Sequence, residues 1–210
     1  MDWDRETRTG VAEAVFAANK TAMQIDTIVE SAREKGRRLL LTRLEATVFD
    51  TLSPDVRAAL DYDGVSRTAV VGSATPLTAS GVGIVAAGTS DVPVALEASR
   101  TLAFAGHEAA IIADVGVAGL WRLVDRQDEL VRFRIVIAVA GMEGALFSVI
   151  AGLVAAPVIA VPTSVGYGVA AGGTVALNAA LASCSPGVTV VNVDNGFGAA
   201  TAAIKMLRLC

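Results

Sequence analysis

The chain has 210 residues, 53% of them hydrophobic, with a formal net charge of −4 and a sequence pI near 5.0. That length can bury one full-sized α/β domain plus a smaller appendage without staples. The acidic balance argues against a nucleic-acid partner, since the only dense basic stretch, Arg33 to Arg43, is short and mixed with Glu34. Two cysteines, Cys184 and the terminal Cys210, fit a reducing cytosol rather than a disulfide framework, and one histidine leaves His-based triads and zinc clusters without support.

The opening Met1-Asp2-Trp3-Asp4 has no basic segment ahead of an apolar run, so no secretory signal and a cytoplasmic location are expected. Residues 1–62 hold most of the charge in a helical pattern, with Val11 and Val15 and then Met23, Ile25, Ile28 and Val29. A small, mainly helical N-terminal domain is expected there. Residues 63–81 read as a linker carrying a possible strand, Thr68 to Val71, before small and polar residues around Pro76.

From residue 82 to 210, short apolar runs alternate with helix-length segments: Gly83 to Ala87, Ala109 to Ala113, Ile135 to Ala140, Val158 to Val161 and Val188 to Val193. The pattern predicts five parallel strands with crossover helices, an α/β domain of flavodoxin-like, three-layer architecture. Mean hydropathy is +0.57, and the uncharged run Gly144 to Val161 is about as long as a thin membrane span. Pro157 interrupts it and Glu143 adjoins it, so a buried helix and a buried strand are expected instead, with no membrane partner.

Ligands of such sheets bind outside the carboxyl ends of the strands. The loops there read Gly88-Thr89-Ser90-Asp91, Asp114 to Gly119 including Gly116, Gly141-Met142-Glu143-Gly144-Ala145, Pro162-Thr163-Ser164-Val165-Gly166-Tyr167-Gly168 and Asp194-Asn195-Gly196-Phe197-Gly198. Each alone is explained by tight turns and N-caps; five on one edge favour a phosphorylated, nucleotide-like ligand. None has the spacing of a dinucleotide fingerprint or a P-loop, and Gly81-Val82-Gly83 precedes the first of these strands. His107 follows Gly106 at a predicted helix end and reads as a capping or surface residue. Glu143 reads equally as an exposed helix-start carboxylate or as a functional group breaking an apolar segment. Cys184, in the turn leading into the last strand, reads as a small hydrophobe unless amides or cations activate it.

These loop motifs, taken in order with Ser183-Cys184, Asn192 to Gly198 and the N-terminal Arg5-x-x-Arg8-x-Gly10, Lys20-Thr21 and Thr42-Arg43, resemble the LarB family of nickel-pincer cofactor biosynthesis. The Gly141 to Leu146 string is highly specific, and the resemblance covers nearly the whole chain. Trp121, where histidine is usual before Arg122, and Phe147, where proline is usual, depart from the pattern. The C-terminal part is more distantly similar to the aminoimidazole ribonucleotide (AIR) carboxylases of purine synthesis, which are flavodoxin-like octamers.

The resemblance implies carboxylation of nicotinic acid adenine dinucleotide by CO2 at ring C5, then phosphoanhydride cleavage to a pyridinium-3,5-biscarboxylic acid mononucleotide and AMP. It implies Cys184 as the nucleophile that adds to the ring and Glu143 as the base that removes the C5 proton. It further implies substrate binding by Thr89, Ser90, Asp91, Gly116, Arg122, Gly141, Met142, Gly144, Thr163, Gly166, Asp194 and Asn195. Magnesium is expected, held by Asp91, Asp114 or Asp194, with no organic cofactor; Lys20 and Arg43 are further nucleotide-contact candidates. A homo-oligomer, an octamer, is the expected assembly. The rival readings are an AIR carboxylase-like enzyme, which has no use for Cys184, and a non-catalytic nucleotide-binding module.

Overall fold

A computed structural model describes residues 1–209; Cys210 lies outside the described residues. The chain forms two compact units, Met1–Pro76 together with Phe104–Gly106, and Leu77–Ala103 together with the chain from His107.

In the first unit the elements run α1 (Arg5–Thr9), β1 (Ala14–Phe16), α2 (Ala22–Glu34), β2 (Leu39–Thr42), α3 (Ala46–Phe49), α4 (Pro54–Ala59), β3 (Leu60–Asp63) and β4 (Thr68–Val71). Thr21 starts α2 with a reciprocal capping box to Gln24. One stripe of α2, Ile25, Val29 and Ala32, is fully buried, packing in one core with Leu39, Leu41, Leu44 and Val56. The helical expectation is met by these segments, but the unit also holds a four-stranded mixed sheet in the order β1-β2-β4-β3, which the sequence reading did not include. Val15, read there as helical, lies in β1, paired in parallel with Leu41. Thr68–Val71, read as a strand within a linker, is an inner strand bonded on both sides, so the first unit runs through it to Pro76.

In the second unit follow β5 (Thr78–Ala86), α5 (Val92–Phe104), β6 (His107–Ile112), α6 (Leu120–Val124), α7 (Gln127–Leu130), β7 (Ile135–Ala140), α8 (Ala145–Leu153), β8 (Val158–Pro162), α9 (Thr174–Leu181), β9 (Val188–Val190) and α10 (Gly196–Leu207). All five strands are parallel, in the order β6-β5-β7-β8-β9, the doubly wound flavodoxin-type order. Every residue of β7 and β8 is buried, because helices cover both faces of the sheet and a parallel strand there has no polar side. Val136, Ala138 and Ala140 belong to a core with Leu146, Phe147 and Ile150 of α8 and Ala176 and Ala180 of α9. The alternate residues Ile135, Ile137 and Val139 are buried on the opposite face, as are Ala199, Ala200 and Ala203 of α10, a helix that packs on β7 and β8.

The first strand of this sheet starts earlier than expected. Gly81, read as preceding it, lies inside β5 at a register shift between Ala79 and Val82, with φ +74°. Only a residue without Cβ adopts that bulge freely, and a Cβ there would stand 2.8 Å from Arg134. The last strand stops at Val190, short of the expected Val193. His107, read as following a helix end, opens β6 opposite Thr78. The apolar run Gly144 to Val161 divides into α8, a turn at Pro157 and β8, and no helix among the described residues is long and apolar enough to cross a membrane.

Candidate active site

The carboxyl edge of the five-stranded sheet is tied together by one buried carboxylate. Asp91 is 4% exposed, in the short turn Thr89–Asp91 that enters α5. Its Oδ1 accepts the Thr163 hydroxyl at 2.6 Å, its Oδ2 accepts the Gly88 N–H at 2.9 Å, and the Gly141 N–H also donates to it. Three loops, after β5, β7 and β8, therefore meet on one side chain. Burial pushes the Asp91 carboxyl above its ordinary value; the Thr163 hydroxyl and the Gly88 and Gly141 N–H groups pull against that rise, and nearby Asp194 adds to it. Thr163 is fully buried, and its N–H donates to Ala140 O at 2.9 Å.

Gly141 and Thr163 touch closely. A Cβ on Gly141 would stand 2.2 Å from Val165 O and 2.7 Å from Thr163 Oγ1, and the next N–H, of Met142, donates to that same Val165 O at 2.8 Å. Met142 (φ 51°) and Gly144 (φ 63°) bracket Glu143 with left-handed backbone, which turns the chain sharply into α8 and leaves Glu143 exposed. Asp114 (φ 60°) and Asp194 (φ 54°) adopt the same conformation just after β6 and β9. For non-glycine residues this costs roughly 1 kcal/mol each, the kind of strain that concentrates at functional edges. Phe147 is fully buried beneath Gly144.

The last loop joins the group through backbone contacts. Asp194 Oδ1 accepts the Ser164 N–H at 2.8 Å, Asp194 N–H donates to Pro162 O at 2.8 Å, and Asn195 caps α10 by accepting the Gly198 N–H at 2.8 Å. Glu97 of α5, not singled out by the sequence, is 5% exposed and accepts the Gly196 N–H at 3.0 Å. An acid within an apolar helix was its only signal. The loop after β6 is anchored by Gly116 N–H to Ala87 O at 2.7 Å. Arg122 is not a free anion clamp: its Nη1 pairs with Asp114 Oδ2, while its Nε is buried without a partner. Neighbouring Trp121 is 67% exposed.

Thr89, Ser90, Asp91, Gly116, Gly141, Met142, Glu143, Gly144, Thr163, Gly166, Asp194 and Asn195 thus all lie on loops leaving this edge, with Arg122 in the helix that follows one of them. Cys184 does not join them. It lies on the connection from α9 into β9, and β9 enters the sheet at the opposite, amino edge, where the Val158 N–H of β8 donates to Gly187 O at 3.0 Å. At about 3.3 Å per residue, the five residues of β8 span roughly 16 Å between these edges. Cys184 is exposed as a free thiol between two serines held against α8. The Ser183 and Ser148 hydroxyls lie 2.8 Å apart, and the Ser185 hydroxyl donates to Ser148 O at 2.9 Å.

The three aspartates proposed for magnesium are each otherwise engaged, Asp91 with Thr163, Asp114 with Arg122 and Asp194 with Ser164. No group of three His, Cys, Asp or Glu among the described residues could hold a metal ion, so they do not fit a preassembled cage. In the first unit, Lys20 immediately precedes α2, and the Arg43 guanidinium lies 5.6 Å from the Phe16 ring centroid.

Residues 1–73 match the family model described as the LarB/PurE-like N-terminal domain, and residues 81–210 match that of AIR carboxylase. The chain is also 41% identical over 209 residues, 95% of its length and 80% of the other's, to the uncharacterized protein MJ0165 of Methanocaldococcus jannaschii. With the doubly wound sheet and its loop-bearing carboxyl edge, these matches establish a carboxylase-type enzyme, and the chain belongs to the LarB family, with a PurE-like C-terminal domain.

Proposed function

We propose that this protein is a pyridinium-3,5-biscarboxylic acid mononucleotide synthase, which carboxylates nicotinic acid adenine dinucleotide with CO2 and then splits it to release AMP. The observation that carries the reading is the turn Gly141 to Gly144, which holds Glu143 exposed on the Asp91-centred edge of a LarB-family chain. A pyridinium ring is too electron-poor to attack CO2. Addition of the Cys184 thiolate makes a dihydropyridine whose C5 carries enamine electrons, and C5 then forms the new bond to CO2. Glu143 takes the C5 proton, the C–H electron pair restores aromaticity, and the C–S bond breaks to return the thiolate. Water then cleaves the phosphoanhydride, giving the mononucleotide and AMP. The amide-rich loops after β5, β6 and β8 are suited to hold the phosphates and the ring carboxylate.

Cys184 and Glu143 sit at opposite sheet edges, so in this reading one substrate meets Glu143 of one copy and Cys184 of another. The protein therefore works as a homo-oligomer, the octamer expected from the resemblance. The exposed Leu120, Trp121, Val124 and Val131 suit such association. Magnesium belongs here with the substrate phosphates, its preferred ligands, and no organic cofactor is required. The purine-type alternative is disfavoured by His107, the only histidine, which opens β6 at the amino edge away from the loops.

The test is mass spectrometry of products after incubation with nicotinic acid adenine dinucleotide, bicarbonate and magnesium. The wild type should give the biscarboxylated mononucleotide and AMP, Cys184→Ala should give none and Glu143→Gln at most a trace, and co-assembled mixtures of the two variants should regain product. Unchanged dinucleotide with the wild type returns the protein to a binding module, equal turnover by Cys184→Ala removes the nucleophile, and silent mixtures remove the shared site.

A further inference from the structure

The basic stretch beginning at Arg33 has no part in the proposed reaction. Arg33 lies in the last turn of α2; the chain then turns through Gly36 (φ +57°) and carries Arg37 and Arg38 into β2. β4 runs antiparallel beside β2, pairing Val71 with Leu39, so Gly72 and Ser73 leave the sheet next to Arg38. Contact there is close: a Cβ on Gly72 would stand 2.9 Å from Arg38 Cγ. The three arginines, Gly36, Gly72 and Ser73 consequently line one cavity of about 540 Å³, within the range of small-molecule sites. All of them belong to the first compact unit.

The position of Arg33 near the end of α2 is explained by the helix dipole, but the gathering of three arginines around one cavity is not. No carboxylate lines the cavity, and none of the three arginines forms an ion pair among the described residues. Arg38 is fixed in place, its Nη2 donating to Phe104 O at 2.7 Å and its guanidinium carbon lying 4.3 Å from the Phe104 ring centroid. Its Nε is buried with no acceptor, so this arginine is held in place at some cost in stability. Burial also holds the Arg38 pKa below its ordinary value, against the attraction of Glu6, as for a cation lacking a close counter-charge.

We propose that this cavity of the N-terminal unit binds a compact phosphate-bearing anion of the pyrophosphate or sugar-phosphate class. Arginine forks match phosphate oxygens in pairs, the two glycines leave backbone room, and Ser73 adds a hydroxyl donor. No aromatic ring lines the cavity, so no aromatic face is provided to stack a base, which argues against a nucleotide base or single-stranded RNA as the recognised group.

The experiment is calorimetric titration of the full chain with inorganic pyrophosphate at physiological salt, comparing wild type, Arg33→Ala/Arg37→Ala and the surface control Arg126→Ala. A binding event weakened at least about tenfold by the double variant and unchanged by the control is expected, with ribose 5-phosphate competing and ribose not. Any second pyrophosphate event at the sheet-edge loops should persist in the double variant. Identical titrations for wild type and double variant, an equal loss in the control, or tighter binding of oligouridylate through the same arginines would each overturn the proposal. Circular dichroism melts confirm that the double variant is folded. Because binding rather than turnover is read, failure here leaves the carboxylase reading untouched.

Discussion

Thr163→Val tests whether the carboxyl edge is organised by Asp91. The substitution keeps the shape of a fully buried side chain and removes the hydroxyl that donates to Asp91 Oδ1 at 2.6 Å. A hydrogen bond to a charged group contributes about 1.5–3 kcal/mol, so a loss of about 2 kcal/mol at pH 7 is expected. With a urea slope of about 2 kcal/mol per molar, the midpoint should fall by about 1 M. The sign of the pH dependence follows from Asp91. Burial raises its folded pKa above the ordinary 3.8, so its contribution to stability is fully present below the unfolded value and is lost as pH rises through the folded one. The Thr163 hydroxyl opposes that rise, so removing it lifts the folded pKa further and enlarges the loss on the alkaline side. The gap between variant and wild type should therefore be wide at pH 7 and close as the pH falls through the Asp91 pKa. Urea melts at one protein concentration and several pH values measure it. A gap that is absent at pH 7, or constant with pH, would refute the role assigned to Asp91.

Gly141→Ala drives a methyl group to within 2.2 Å of Val165 O, so it should lower the melting temperature and abolish product formation. The contrasting Gly152→Ala, in the exposed part of α8 with nothing within 4 Å of the new Cβ, should stabilise by about 1 kcal/mol, read in the same thermal melts. Glu143→Gln alters an exposed side chain, so melting should not move while product formation in single turnovers falls by about 10²–10⁴-fold. Glu97→Leu strips the acceptor from the Gly196 N–H and should cost about 1–3 kcal/mol, with faster hydrogen exchange at that amide.

The second unit was legible because its signals are local and redundant. A fully buried parallel strand must read as an unbroken apolar run, and Ile135 to Ala140 is recovered residue for residue. Strand ends were less legible: Val191 to Val193 are as β-prone as the residues before them, but Val191 N–H still reaches Ala160 O while Asp194 is already turning left-handed. The N-terminal sheet was missed because its strands have only three or four residues and are set among helices, so no period-2 stretch outweighs the helical one. Leu39, Leu40 and Leu41 are buried on both faces and show no alternation at all. Among the site residues, the loops could be assigned from strand order alone. The Asp91–Thr163 bond, joining residues 72 positions apart, and the Arg122–Asp114 pair that removes Arg122 from free duty are set by tertiary placement, which no local pattern encodes.

The separation of Cys184 from Glu143 is a different case, because strand polarity alone implies it. A residue in the turn entering a parallel strand and a residue in the turn leaving another lie on opposite edges of the sheet, whatever the side chains are. Cys184 precedes β9 and Glu143 follows β7, so the proposed reaction, which uses both, draws them from two copies of the chain. The local structure agrees with such a division. Glu143 is exposed on its turn beside the other edge loops, while Cys184 faces solvent from a connection that two serines fasten to α8, with no edge loop for company. In the proposed reaction, a thiol exposed away from its own carboxyl edge would meet the substrate of a neighbouring copy. On this view, a variant that blocks association while leaving both residues intact should lose the carboxylation step as completely as loss of Cys184 itself, and should recover when assembly is restored.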